Sequence, residues 1–325
     1  MDADRRGKLQ AHEVARPFDP VPAQRRRWIA TLALSHRRQR VLSGNPQPSP
    51  AGARWRRLAA HLLRNLRLEG AAFRLHELLK ARRLARDARA QFLAPAADGL
   101  PLPPPSHIVL VGGDTNVPAF LAGGVAVVDA MREMLAGAGA NLAECRSILD
   151  FGCGCGRVMR QLRAEAAGRK LRGTDYNERL IAWCRENLAF AQFDVNNLNP
   201  PLAYASGEFD LIYAFSVFTH LPQRLQVAWM RELARTLRPG GHLFITVHGD
   251  TFVEALDADE RSTFAAGDLV VRHARNAGSN LCTAFHPRAY LQRLAAPDLE
   301  IVAHASARLG QDALLLRKLH ATAQS

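Results

Sequence analysis

The sequence predicts an α/β fold: a mostly parallel sheet with helices on both faces, preceded by a basic helical extension. Three observations predict it. From Ile148 onward, short apolar runs alternate with helical stretches, the pattern of strands joined by crossover helices. The first of these runs, Ile148 to Phe151, leads directly into three alternating glycines, Gly152, Gly154 and Gly156. The charge is lopsided: residues 1–100 carry about +13, the whole net charge of the 325-residue chain, so residues 101–325 sum to about zero.

Taken in order, residues 1–50 form a basic, partly disordered segment. Asp19-Pro20-Val21-Pro22 breaks any helix. A basic stretch from Arg25 to Arg40 could be a short helix, and Gly44 to Pro50 is a linker by composition. Residues 51–99 read as arginine-rich amphipathic helices. Trp55, Leu58, Leu62 and Leu66 recur near helical spacing, and Leu75, Leu78 and Leu79 resume it after Gly70. Their other faces carry Arg56, Arg64, Arg74, Arg82 and Arg86 among others. Such a surface suits phosphates on nucleic acid or anionic lipid; it equally suits a solvated helical pair packed on a neighbouring domain. No aromatic-interleaved nucleic-acid pattern accompanies it.

Leu100-Pro101-Leu102-Pro103-Pro104-Pro105 is a stiff connector and marks the boundary to a domain over 100–325, with its core at 145–318. Ile108 to Val111 reads as a short strand or an apolar anchor, and Gly112 to Asn116 as either a lid or a plain turn. Ala119 to Leu135 reads as a helix. The alternation then gives strand 148–151, helix 156–168, strand 170–175, helix 177–188, strands 190–194 and 210–216, helix 222–237 and strand 241–247. Residues 248–280 form an insertion. A helix near 287–294 and strands near 298–304 and 312–317 finish the pattern.

Five cysteines with no repeated pair spacing argue against disulfides and for a reducing interior. Cys153 and Cys155, inside the glycine turn, find no further metal ligands at matching spacing. The longest uncharged apolar run, near Val117–Val128, is too short to span a bilayer. The first residues lack the apolar core of a signal peptide. The expectation is a cytoplasmic protein without a transmembrane segment.

The stretch Leu149-Asp150-Phe151-Gly152-Cys153-Gly154-Cys155-Gly156 resembles the first motif of class I methyltransferases that use S-adenosylmethionine. Three further landmarks follow in the family's order: Leu171 to Asp175, Phe209 to Ala214, and Leu237 to Leu243 with its Pro239-Gly240-Gly241 turn. The resemblance implies a Rossmann-like, doubly wound sheet of seven strands whose last strand is antiparallel. It implies S-adenosyl-L-methionine as cofactor, bound at the carboxyl ends of the strands. Asp150 would hold the methionine ammonium, and Gly152, Cys153, Gly154 and Gly156 would line the methionine and ribose portions. Asp175, nineteen residues after Gly156, would grip the ribose hydroxyls with two acceptor oxygens; the other reading of Asp175 is a helix N-cap. Tyr176 would flank the adenine. Asp194 or Asn196 would meet the adenine amine, and Phe215 would face the cofactor. His220, past the fourth strand, is the candidate general base because neutral imidazole titrates near physiological pH; its other reading is an orienting or capping histidine. His248 is a second candidate.

The expected activity is transfer of a methyl group to an O or N atom of a small molecule or glycan. The alternatives are a nucleic-acid or protein methyltransferase guided by the basic helices, a nicotinamide dehydrogenase with a similar glycine turn, and a non-catalytic module that binds the cofactor. Adenine amino methylation and cytosine C5 methylation are argued against. Asn199-Pro200-Pro201-Leu202 lies before the fourth strand and lacks an aromatic, and the chain has no Pro-Cys pair.

Overall fold

The computed structural model describes residues 98–320, together with Leu75, Leu79, Arg82 and Ala96. The expected segment 1–50 and nearly all of the arginine-rich helices of 51–99 lie outside the described residues. Leu75, Leu79 and Arg82 are helical and exposed.

Seven strands form one sheet in the order β3-β2-β1-β4-β5-β9-β8. They are β1 (Ser147–Phe151), β2 (Lys170–Asp175), β3 (Gln192–Val195), β4 (Phe209–Ala214), β5 (Leu237–Val247), β8 (Leu299–Ala305) and β9 (Asp312–Lys318). The first five run parallel, and β9 is antiparallel to both its neighbours. A separate hairpin pairs β6 (Val270–Arg272) with β7 (Thr283–Phe285). The expected reversal of the last strand is therefore present. Chain order changes direction between β1 and β4, and the crevice beyond the carboxyl ends of those strands is where such sheets bind ligands.

The period of two along each strand sorts the core into two faces. Leu149, Ile212, Leu243, Ile245, Leu314 and Leu316 pack beneath Trp229, Met230 and Leu233 of helix α4 (Gln223–Thr236) and Tyr290, Leu291 and Leu294 of α5 (Arg288–Ala295). Their strand neighbours Ile148, Leu211, Tyr213, Phe244 and Leu315 face the other way. That side is covered by Val127, Val128, Met131 and Leu135 of α2 (Val117–Gly137), and by Ile181 and Cys184 of α3 (Glu178–Asn187).

Ile108 to Val111 is not a strand but part of helix α1 (Pro105–Gly112), and it is an apolar anchor, with Ile108 and Val109 buried. The proline run that ends at Pro105 supplies a fixed backbone angle for the first helical turn, where a missing N–H costs nothing. Gly113 ends the helix in the left-handed region, and the Asn116 side chain accepts the Ala119 N–H to open α2. Gly112–Asn116 is thus a turn between two helices.

The helix expected over 156–168 is instead a run of turns followed by a 3₁₀ helix, Met159–Glu165. Two constraints act there. Helix α2 crosses so closely that a Cβ on Gly124 would lie 2.3 Å from the Arg157 carbonyl oxygen. Arg160, 1 % exposed, is drawn inward by both oxygens of Asp98, at 2.5 and 2.8 Å, and by the carbonyls of Leu100 and Pro101.

Asp210, the acid of the Phe-Asp pair that opens β4, is structural. It accepts the N–H groups of Arg146 and Ser147 at 2.6 and 2.9 Å and pairs with Arg238, tying the starts of β1, β4 and β5 together. Among the described residues no single helix is long and apolar enough to cross a membrane. Helices α1 and α2 together meet that test but are bent by 50° at their break, and α2 buries its apolar stripe in the core.

Candidate active site

Asp150, Asp175 and the glycine turn meet at the carboxyl ends of β1 and β2. The turn needs its glycines: Gly152, Gly154 and Gly156 have φ of 75°, 55° and 74°, a region that side-chain-bearing residues rarely occupy. Side chains also crowd it, with Val111 of α1 over Gly154 and Val217 against Gly152.

Asp175 Oδ2 accepts the Gly154 N–H at 2.9 Å, and Oδ1 accepts the Asn177 N–H at 2.8 Å. The cap of α3 is Asn177, not Asp175. Burial holds the Asp175 carboxyl above the usual carboxylate range, opposed by those two N–H donors. Each of its oxygens keeps a second lone pair for a ligand hydroxyl.

Asp150 is 3 % exposed, and its Oδ2 has no hydrogen-bond partner. Burial pushes its pKa up to about 8. The neighbouring Asp175 adds to the rise, while the Tyr213 hydroxyl and Arg157 oppose it. Arg157, next after Gly156, lays its guanidinium 4.6 Å from the centre of the Phe215 ring and leaves a buried Nε without a partner. Sequence reasoning missed Arg157 and Tyr213. Arg157 carried a signal, a charge set immediately behind the glycine turn; Tyr213 carried none beyond an apolar strand.

Cys153 turns its side chain into the core, towards the Gly154 carbonyl and Gly173, so only its backbone faces the turn's outer side. All five cysteines are buried and free, and burial raises the pKa of the Cys145, Cys153, Cys155 and Cys282 thiols. Among the described residues no cluster of metal-ligating side chains occurs.

Beyond β3 the two adenine-amine candidates part. Asp194 Oδ2 accepts from the Tyr204 hydroxyl at 3.0 Å and from Arg172 at 3.4 Å. Asn196 lies past the strand end, its backbone N–H on the Asp175 carbonyl and its Oδ1 2.9 Å from Thr174 Oγ1. Tyr176 is 46 % exposed, and its hydroxyl donates to the Gly278 carbonyl at 2.7 Å.

Across the crevice, Ser216 adopts a positive φ of 59° after β4 and receives the Gln311 side-chain amide at 2.8 Å. His220 ends a 3₁₀ turn, Phe218–His220, and its Nδ1 lies 2.8 Å from the Cys282 carbonyl oxygen. A carbonyl only accepts, so Nδ1 carries the proton and Nε2 is the bare nitrogen of the neutral ring. Burial lowers the His220 pKa, with the carbonyl bond partly opposing, which keeps the ring neutral. His248 donates to the Ala284 carbonyl at 3.1 Å, and burial lowers its pKa to about 4. His286, fully enclosed beside it, was not foreseen; burial takes its pKa to about 3.

The arrangement offers two acid side chains around a close-approach turn on one side and a neutral imidazole on the other. A cation with ribose-like hydroxyls suits the first. The donor set fits an amino-acid nucleoside: an unpartnered buried carboxylate oxygen for an ammonium, a buried guanidinium N–H for a carboxylate, and the Asp175 acceptors for hydroxyls.

Residues 80–304 match a family model described as a methyltransferase domain. Methyltransferase GfsG of Streptomyces halstedii is 36% identical over 104 residues, 30% of this chain and 36% of that protein. Trans-aconitate 2-methyltransferase of Variovorax paradoxus is 33% identical over 104 residues, 32% of this chain and 39% of that protein. The chain thus spans little more than a third of the length of the curated relatives it matches. Among solved structures, an S-adenosylmethionine-dependent methyltransferase from Mesorhizobium loti is similar at a TM-score of 0.44 and 17% identity, covering 59% of this chain and 98% of that one. Magnesium protoporphyrin IX methyltransferase from Synechocystis, solved with bound S-adenosylhomocysteine, gives 0.43 and 19%, covering 62% and 87%.

Proposed function

Because the chain belongs to the class I S-adenosylmethionine-dependent methyltransferase family, whose cofactor is S-adenosylmethionine, we propose that it transfers a methyl group to an oxygen or nitrogen of a small molecule or glycan. One observation carries the reading. Asp150 and Asp175 stand at adjacent strand ends around the glycine turn, and Asp150 is buried with an oxygen unpartnered. Two buried acids side by side are costly unless a ligand supplies positive charge and donors. The acceptor named for one relative, trans-aconitate, is a small molecule, which supports the acceptor class.

In this reading Asp150 takes the ammonium of the cofactor, and Arg157 its carboxylate. Asp175 takes the ribose hydroxyls, Tyr176 flanks the adenine, and Asn196 meets the adenine edge, Asp194 being engaged by Tyr204 and Arg172. When bound, the cofactor supplies an electrophilic methyl group on a sulfonium. The residues hold it in line with the acceptor and keep water out, the main route to rate in such a displacement. His220, neutral and bare at Nε2, accepts the proton of the acceptor hydroxyl or amine as the new bond forms.

The test is calorimetry of the full chain with S-adenosylmethionine and S-adenosylhomocysteine, followed by methyl-labelled cofactor with extracted metabolites and glycans. Expected are heat with both compounds and label in a small acceptor. No heat with either compound sinks the reading.

A further inference from the structure

The loop 276–282, between β6 and β7, crosses the crevice and touches both of its sides. At one side the Tyr176 hydroxyl donates to the Gly278 carbonyl at 2.7 Å, and the Tyr176 ring and Leu198 lie close against Gly278. At the other, the Gly278 N–H donates to the His220 carbonyl at 2.8 Å, and the Cys282 carbonyl receives His220 Nδ1–H at 2.8 Å. The loop is braced internally by Ser279 Oγ on the Asn276 carbonyl and by the Cys282 N–H on the Ser279 carbonyl. Asn280 fastens it to α1 through the Leu110 carbonyl at 3.0 Å. One residue, Gly278, therefore lies between a side chain at the nucleoside side and the backbone of the proposed base.

We infer that Tyr176 is a positioning residue for His220: its hydroxyl pins the 276–282 loop, and the pinned loop fixes the His220 ring with the proton on Nδ1 and the base nitrogen, Nε2, bare. The inference rests on the reading of His220 as the base, and its structural half stands apart from it. The geometry requires this chain of contacts because the Cys282 carbonyl is the Nδ1 partner. If the loop drifts, that acceptor leaves, and nothing then favours the Nδ1–H tautomer over the Nε2–H one, in which the base nitrogen is blocked. Tyr176 follows Asp175 directly, so the residue that holds the loop adjoins the acid proposed to take the ribose. Binding at the nucleoside end and readiness of the base become linked through a single strap.

The experiment is Tyr176→Phe in the full chain, which keeps the ring and removes only the hydroxyl. Imidazole ¹⁵N spectra assign the His220 tautomer, and amide exchange follows Gly278, in the free protein and with S-adenosylhomocysteine added. Wild type should show His220 as the Nδ1–H tautomer. The variant should show mixed tautomers and Gly278 exchange faster by about tenfold, with an unchanged melting curve. An Nε2–H tautomer in wild type, or a variant with unaltered tautomer and exchange, overturns the inference. The free-protein spectra and exchange alone decide the inference, so failure of wild type to bind S-adenosylhomocysteine counts against the proposed function alone.

Discussion

Asp175 Oδ2 accepts the backbone N–H of Gly154 at 2.9 Å, so the acid that ends β2 is fastened to the turn that follows β1. The same carboxylate that would grip the ribose also sets the shape of the glycine turn. Asp175→Asn should retain one of the two backbone contacts and lose the negative charge. Affinity for S-adenosylhomocysteine should fall at least about tenfold, or about 1.4 kcal/mol, with a melting temperature lower by a few degrees. Calorimetry and a thermal scan read both, and unchanged affinity removes Asp175 from the site.

Asp150 makes stability depend on pH in an unusual direction. Its pKa in the folded chain is about 8, against about 3.9 unfolded. The unfolded chain releases this proton near pH 4 while the folded chain keeps it to about 8. The contribution is fully present below about pH 4 and is lost as pH rises towards 8. The ligand-free protein should lose melting temperature between pH 5 and 8 relative to Asp150→Asn. At pH 7, binding a ligand ammonium should expel the proton. Calorimetry in buffers of different ionisation enthalpy should register that release in wild type and not in Asp150→Asn.

Gly123 and Gly124 stand side by side in α2 and should respond oppositely to alanine. A Cβ at Gly123 meets only the far end of Arg157, at 3.7 Å, whereas one at Gly124 lands 2.3 Å from the Arg157 carbonyl oxygen. Gly123→Ala should gain up to about 1 kcal/mol from helix propensity. Gly124→Ala should lose about 1–3 kcal/mol by overpacking and weaken cofactor binding, because it displaces the residue that closes the glycine turn. Urea titration of both variants is the check, and equal shifts would contradict the close crossing.

His220→Ala should lower methyl transfer by about 100-fold, the usual reach of a general base, with S-adenosylhomocysteine affinity held within about threefold. A loss of affinity matching the loss of rate would make His220 a binding residue instead.

Much of this was legible in the sequence because the signals were local. The glycine turn, the acid ending β2 and the period-two runs each lie within a few residues, and backbone sterics alone dictate them. Position 175 was read correctly as a strand end, and the cap beside it fell to Asn177. The illegible part was assembled from far apart in the chain. Cys282 meets His220 across sixty-two positions, and Asn280 meets Leu110 across one hundred and seventy. Helix α1 was missed because a four-residue apolar run has no period to read, and the decisive cue was the proline at its first turn. The 3₁₀ segment after the turn was missed because its winding answers to Asp98 and Gly124, which local propensity does not see.

Strand β9 arrives last among the sheet's strands yet sits between β5 and β8, bonded on both sides. During synthesis the flank of β5 must therefore wait bare until residues 312–318 leave the ribosome. A chain halted before Asp312 would present that flank, with Leu243, Phe244 and Ile245 along it, as a ready template for a second nascent chain. Residues 312–318 therefore decide whether the flank of β5 is paired within its own chain or offered to another.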